Sequence, residues 1–561
     1  MRFKRVHFWV TLRAAIGCTA FACALPASAQ LRIVTYNTAG APRNGMDFVL
    51  TAIGQENFGV AVQSIDILLL QEQSRADGLP DAQDFVDLLN GIYAGQGFTY
   101  SRGNAVGLGD TTQSIVYKTS TIALLQETAF GTVSSSSQAR QTIRHQVKPV
   151  GYDDSAAFYI YNSHYKASQG SDSSGATPNA NRRLSEATII RSNSDSLGNG
   201  AHAIYAGDFN FYDSDADEPA FGVLTAPGNG QAFDPVNRIG TWHNNINFKD
   251  VHTQSPTTTS RYGGQVIGGL DDRFDFQLVT SEFLDGEGLS YIAGTYHTFG
   301  NNGTTYNTDI DSGFNTYPFS SVAFDPQHPR TQLLTDLASV TDHLPVVADY
   351  QIPAKMSVQV AAIPSVVNLG ASIPITINIE NIASVTSASY ADELDYTLSV
   401  SGDLMGGITG LDPAAGGGHD HDIFLNTATA GPKSGLITVV STSPQAANAL
   451  FTFPVSFNVL GPSFLAADFD EDGGVDAEDL ASWSANFGIA ASAVKSQGDA
   501  DLDGAVDGAD FLTWQRQLGA SPSITVAASV PEPAALYLAL CACCGVMRWM
   551  RSVSPRSVTG G

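Results

Sequence analysis

The sequence predicts three folded units in succession: an α/β (α+β) enzyme-like domain over residues 30–352, a β-sandwich over 353–460, and a small helical module over 464–520. Three observations predict this division. Residues 31 to about 350 alternate short apolar runs with stretches of helical period. From about Met356 the composition turns to Val, Ile, Thr and Ser. An acidic twelve-residue pattern then occurs twice, 31 residues apart. A chain of 561 residues is also too long for one core.

At the amino end, Arg2, Lys4 and Arg5 precede an apolar stretch over 8–25, and Ala27, Ser28 and Ala29 offer small residues for cleavage before Gln30. Residues 1–29 therefore read as an export signal, with an uncleaved anchor as the alternative. All five cysteines (Cys18, Cys23, Cys541, Cys543 and Cys544) lie near the termini. The body between them is excluded from disulfide, thiolate-metal and cysteine-nucleophile chemistry. With 55 acidic against 28 basic residues, the net charge is −27. Such a surface repels nucleic acid at long range, so any contact with DNA or RNA must be local.

Within 30–352, the runs at 31–36, 65–70, 158–161, 203–206 and 274–279 suit buried strands. Residues 81–89 and 181–190 space apolar residues as helices do. Five of these segments end in polar residues suited to one site. They are Asn37 after Leu31–Tyr36; Glu72 after Ile67–Gln71; His164 after Tyr161; Asp208 and Asn210 around Gly207; and His343 with Asp342 before Leu344 and Pro345. Gly207 permits a close turn, and residues two apart in extended chain face the same way. A further strand delivers Asp275, a carboxylate able to orient a histidine.

This ordered set resembles the endonuclease/exonuclease/phosphatase superfamily, which includes pancreatic-type deoxyribonucleases, abasic-site nucleases, bacterial sphingomyelinases and inositol phosphatases. The resemblance spans about 320 residues. It implies a four-layer sandwich of two mixed β-sheets with outer helices, the site lying where strand ends converge. It also implies that Asn37, Glu72 and Asp342 surround a magnesium or manganese ion, oxygen ligands favouring these metals over zinc. By the same motifs, His343 would be the general base or electrostatic stabiliser, oriented by Asp275. Asp208 would position water, Asn210 would bind phosphate, and His164 would contact phosphate or protonate the leaving oxygen. Arg140 is placed where the family often grips phosphate. One departure is Ala39, where some nucleases of the family carry an acid two residues after the first Asn. That separates the chain from the abasic-site branch.

In the second unit, alternating strands with Gly and Pro turns predict a sandwich of immunoglobulin-like type. His419, Asp420 and His421 fall in a Gly-rich stretch read as a solvated loop. The repeat of the third unit places Asp468, Asp470, Asp472, Asp476 and Asp479 in one loop, and Asp499, Asp501, Asp503, Asp507 and Asp510 in the other. Carboxylates at positions 1, 3, 5, 9 and 12 with Gly at 6 suit calcium. The pair resembles a type I dockerin, which implies either a cohesin-like protein partner or a purely structural calcium module. Over 530–556, Val530, Pro531, Glu532 and Pro533 precede a short apolar run and Arg548, Arg551 and Arg556. That resembles a PEP-CTERM sorting tail, with transient membrane contact, an ordinary tail anchor being the alternative.

The expected function is an exported, metal-dependent phosphodiesterase, foremost a nuclease acting on extracellular DNA or RNA. The alternatives are a phospholipase C-like or phosphomonoester hydrolase, and a cell-surface scaffold or adhesion protein.

Overall fold

The computed structural model describes residues 30–520, apart from 59–61, 74–80, 105–111, 132–139, 172–177, 215–217, 386 and 462–463. The expected export signal and sorting tail lie outside the described residues. Among those described, no helix is long and apolar enough to cross a membrane.

The chain first lays down β1 (Leu31–Asn37), β2 (Ile67–Gln73), β3 (Tyr100–Arg102) and β4 (Thr112–Lys118). It then builds a second sheet from β5 (Ile122–Phe130), β6 (Thr142–Pro149), β7 (Phe158–His164), β8 (Ala203–Asp208) and β9 (Asp275–Val279). Finally it returns to the first with β10 (Ser290–Tyr291), β11 (His297–Thr298) and β12 (Val346–Gln351). The first sheet runs β10-β12-β1-β2-β4-β3, with β11 also on β12, and the second runs β5-β6-β7-β8-β9. Each is mixed, because β1 pairs with β2, and β7 with β8, in parallel.

Side-chain alternation explains the layering. Leu31 and Ile33 of β1 face a core shared with Phe158 and Ile160 of β7 and Ile204 and Ala206 of β8. Val34 and Tyr36 face the other way, onto helices α1 (Met46–Gln55), α2 (Asp81–Ile92) and, later in the chain, α5 (Arg330–Val340). On the far side, Tyr161, Tyr205 and Phe276 pack with α3 (Asn179–Ser196) and α4 (Pro219–Thr225). Two sheets thus lie face to face with helices outside. By the same parity, Asn37, Asn162, His164, Asp208 and Asp275 point into the space between the sheets.

The second unit is a sandwich made by β13 (Met356–Val360), β14 (Val366–Asn368), β15 (Pro374–Asn381), β16 (Leu394–Gly402), β17 (Leu404–Met405), β18 (Gly407–Asp412), β19 (His419–Leu425), β20 (Gly431–Ser441) and β21 (Leu450–Leu460). Its sheets run β13-β15-β19-β17 and β14-β21-β20-β16-β18. The loop expected at His419–His421 is instead the start of β19. There Asp420 pairs across to Asn378, His419 meets the buried Asp412, and His421 meets the Tyr396 hydroxyl. Partners for three polar side chains hold that stretch in the ladder. Ala383, Ala391, Ala414 and Ala447 extend the intersheet core of the first domain, so the two units share apolar contacts. In the third unit, α6 (Ala477–Asn486) and α7 (Gly508–Gln517) each follow one acidic loop.

Candidate active site

Strand register brings the site together. Across the second sheet, His164 pairs with Asp208 and Asp208 with Asp275, so three consecutive strands set these side chains in one row. Gly207 makes the close pairing possible: a Cβ there would stand 1.9 Å from the Ser163 carbonyl oxygen, at a φ of +131°. Opposite the row, Asn37 ends β1 and His343 precedes β12. Parity alone would turn Glu72 away from the intersheet space. A register shift between Leu70 and Gln73 and a left-handed φ of 60° at Glu72 redirect it. A carboxylate residue in that backbone region is strained, and such strain is retained where it serves a site.

Asn37 lies at the centre. Its Nδ2 donates to Glu72 Oε1 at 3.2 Å and Asp208 Oδ2 at 3.0 Å, while its Oδ1 accepts from the Ala39 amide at 3.1 Å. The amide group thus faces the carboxylates. His343 gives Nδ1 to Asp275 Oδ2 at 2.7 Å, and its Nε2 lies 3.7 Å from Asp208 Oδ2. His164 Nε2 is 3.5 Å from both Glu72 Oε1 and Asp208 Oδ2.

These neighbours set protonation. Burial pushes the Asp208 carboxyl up to about 7, against the pull of His343; Asp275 and Glu72 add like-charge repulsion. Burial works against charge on His343, but Asp275 and Asp208 outweigh it and hold the imidazole well above its ordinary range. His164 is held well below that range by burial and then by Arg140. One imidazole is thus kept charged and the other neutral within one cluster.

The side-chain donors of Glu72, His164 and Asp208 all lie within 4.8 Å of one another, a spacing that could hold one cation. The chemistry fits a hard divalent ion. Two carboxylates face each other with only an amide between them, and Asp275 Oδ1 and His164 Nδ1 are buried without a hydrogen-bond partner among the described residues. A cation would relieve the repulsion that raises Asp208.

The expected site residues divide in two. Asn37, Glu72, His164, Asp208, Asp275 and His343 converge, and Arg140 joins them, its Nη1 reaching His164 Nε2 and, at 2.8 Å, the Tyr165 carbonyl. Asn210 orients Asp208: its Nδ2 donates to Asp208 Oδ1 at 2.8 Å and to the Tyr165 carbonyl at 3.2 Å. Asp342 is not among the donors grouped within 4.8 Å, although its charge adds to those that raise His343. Its carboxylate accepts from the Val266 amide at 2.9 Å and pins that neighbouring loop.

Three contributors were not singled out as site residues by the sequence. Gln254 Nε2 lies 2.7 Å from His343 Nε2, donating while the ring is neutral. The amide can present its oxygen when the ring is protonated. Glu186 of α3 accepts from the backbone amides of Arg140 and, at 3.0 Å, Lys166, tying the Arg140 and His164 segments together. Burial pushes its carboxyl up to about 7. Beneath the centre, Gln71 donates to Asn162 at 2.7 Å across the two sheets. Gln254 sits outside any periodic pattern, while Gln71 and Glu186 lie on a predicted strand and helix whose patterns do not reveal these contacts. His252, in the aromatic and polar stretch 241–252, is buried with Nε2 2.9 Å from the Trp242 carbonyl, a structural contact.

The acidic loops gather carboxylates in smaller groups of their own. Asp468, Asp470 and Asp479 cluster within 4.8 Å, as do Asp499, Asp501 and Asp510. Oδ1 of Asp468 and of Asp499 is buried without a hydrogen-bond partner among the described residues. Asp476 and Asp507 cap α6 and α7, accepting from Glu478 N at 2.8 Å and Ala509 N at 2.7 Å. The remaining carboxylates, Asp472 and Asp503, accept from Gly474 and Ala505 within their loops. The halves are reciprocal. Trp483 Nε1 donates to the Asp507 carbonyl at 2.9 Å, and Trp514 Nε1 to the Asp476 carbonyl at 2.7 Å.

No protein-family model matches the chain, and no curated protein matches it. Solved structures do. An endonuclease/exonuclease/phosphatase family protein from Bacteroides thetaiotaomicron is 14% identical, covering 57% of this chain and 94% of its own, with a TM-score of 0.32. TDP2 from D. rerio, complexed with a single-strand DNA product, is 14% identical over 58% of this chain and 100% of its own, with a TM-score of 0.34. A mannosyl-6-phosphatase from Bacteroides thetaiotaomicron is 14% identical over 57% and 99%, with a TM-score of 0.32. At these identities and scores the likeness assigns neither activity nor substrate.

Proposed function

We propose that residues 30–352 are a phosphoester hydrolase working with a bound divalent cation. The observation that carries the reading is the convergence of Asn37, Glu72, His164, Asp208, Asp275 and His343 at the strand ends, with one imidazole charged and the other neutral. When bound, magnesium or manganese would be held by Glu72 and Asp208, with His164 beside them, and would neutralise and polarise the phosphoryl group. The residues supply the rest. Asp275 fixes Nδ1–H of His343, so that Nε2 faces the reacting group and stabilises charge developing there. Asp208, oriented by Asn210 and Asn37, holds an attacking water through its Oδ atoms. Arg140 keeps a guanidinium beside His164 for a phosphate oxygen.

Nucleic acid is one substrate class under this reading, and small or lipid phosphoesters are another. The net charge of −27 gives a polyanion no long-range attraction, which favours the second. Export by residues 1–29, sorting by 530–556, calcium in the two acidic loops and a cohesin-like partner complete the proposal. Fractionation of producing cells and the mass of the mature chain test the first two. The deciding experiment incubates the purified chain with DNA, RNA, sphingomyelin and small phosphate esters, with magnesium, manganese or chelator. Metal-dependent release of phosphate or cleaved ester is expected, and none from any substrate would refute the reading.

A further inference from the structure

We infer that the surface beside His343 carries a second subsite, which binds an uncharged, hydroxyl-bearing group attached to the phosphate, such as the sugar or polyol of a phosphate ester. This rests on the phosphoesterase reading of the centre. Isolated bridges pair Gln254 with both His343 and Asp272. Three extended segments therefore lie side by side, and their paired side chains share one face. With neighbouring strands about 4.8 Å apart, Asp272 stands about 10 Å from His343 along the row.

A second imidazole–carboxylate pair occupies that end. His243 Nδ1 meets Asp272 Oδ1, and Asn244 Nδ2 lies 2.8 Å from His243 Nε2. The Tyr212 ring meets the His243 edge at 5.0 Å, and the Tyr306 hydroxyl donates to the Asn244 carbonyl at 2.8 Å. Tyr212 follows Asn210 by two residues. Burial, then the charge of Asp272, pushes its phenol up to about 12, and the ring also meets Phe274 at 5.0 Å. The group is open to solvent: the His243 side chain is 31% exposed, Asn244 is exposed, and Asp271 and Tyr306 are partly so.

The phosphate centre uses none of these side chains. Asp271 and Asp272 would repel a second phosphate, so a polyanion running along the row is opposed. Carboxylates, an amide and phenols are instead partners for hydroxyl groups, while Tyr306 offers a ring for the apolar face of a sugar. The combination selects a neutral, hydroxylated leaving group.

The test measures kcat and KM of the full chain with magnesium for glucose 6-phosphate, glycerol 3-phosphate, p-nitrophenyl phosphate and an oligodeoxynucleotide. Wild type should prefer a hydroxylated ester. His243→Ala, Asp272→Asn and the exposed Asn244→Ala should each lower the kcat/KM ratio of that ester to p-nitrophenyl phosphate about tenfold, chiefly through KM. An unchanged ratio in all three variants, or a wild-type preference for the oligonucleotide over both hydroxylated esters, removes the subsite and leaves the hydrolase reading standing. Absence of turnover on any ester removes both.

Discussion

The candidate active site and the acidic loops both gather carboxylates that could hold a cation, yet they are built in opposite ways. The centre draws Asn37, Glu72, His164, Asp208, Asp275 and His343 from six separated segments and holds them by sheet register. Each acidic loop draws its donors from twelve consecutive residues and folds back on itself through backbone amides, Gly473 to Asp468 at 3.1 Å and Gly504 to Asp499 at 2.9 Å. A centre assembled by tertiary structure keeps its geometry when the ion leaves. Under the proposed calcium reading, a loop whose charges are brought together only by local turns would depend on the ion for its order.

Chelation should expose that contrast most sharply. Removing divalent ions is expected to stop turnover while near-UV circular dichroism of the large domain persists, and to loosen the helical module, read from its tryptophan fluorescence. Calcium should restore the module, and magnesium or manganese the activity. One ion restoring both to the same degree would erase the distinction. Next in size, Glu72→Ala and His343→Ala should each lower kcat/KM by about a thousandfold with far-UV circular dichroism unchanged. Full activity in both variants would mean that the site is elsewhere.

A smaller effect concerns Glu186. Its folded-state pKa, about 7, lies above the ordinary carboxylate value, so the folded chain keeps a proton that the unfolded chain releases. Stability from this group is complete below about pH 4.5 and declines as pH rises toward 7, by about 3 kcal/mol in total. Glu186→Gln should flatten that slope in denaturant titrations between pH 4.5 and 7.5, and a slope equal to wild type would count against a buried, raised carboxyl. Gln254→Leu should cost about tenfold in kcat/KM by freeing His343 Nε2. Smallest of all, Trp514→Phe keeps an aromatic ring but loses the bond to the Asp476 carbonyl. It should destabilise the calcium-loaded module by about 1 kcal/mol in thermal melts.

The same contrast governs how much could be read from the sequence. The two acidic loops were visible as a repeat, because their carboxylates recur at fixed local spacing. Even so, the capping of α6 and α7 by Asp476 and Asp507 shows that spacing does not separate a metal donor from a helix cap. At the centre, strand ends were legible as apolar runs stopping at Asn37, His164 and Asp208, and Gly207 marked the closest pairing. The turn of Glu72 was not, since it depends on a bulge against β4. Gln254 acts from a segment with no period, and Glu186, though on a stretch of helical period, acts across a tertiary distance that the period does not specify. The placement of His419 on a strand likewise follows from partners on β15, β16 and β18 rather than from its Gly-rich neighbours.

The exchange of indoles between the acidic repeats has a mechanical consequence. Each tryptophan is anchored in the opposite half, and Gly488 and Gly519 bond to Val506 and Val475 across the same divide. A protease nick at the exposed Ala490–Ser492 stretch would therefore sever the chain without parting the fragments, which should co-migrate on a sizing column and separate in denaturant or chelator.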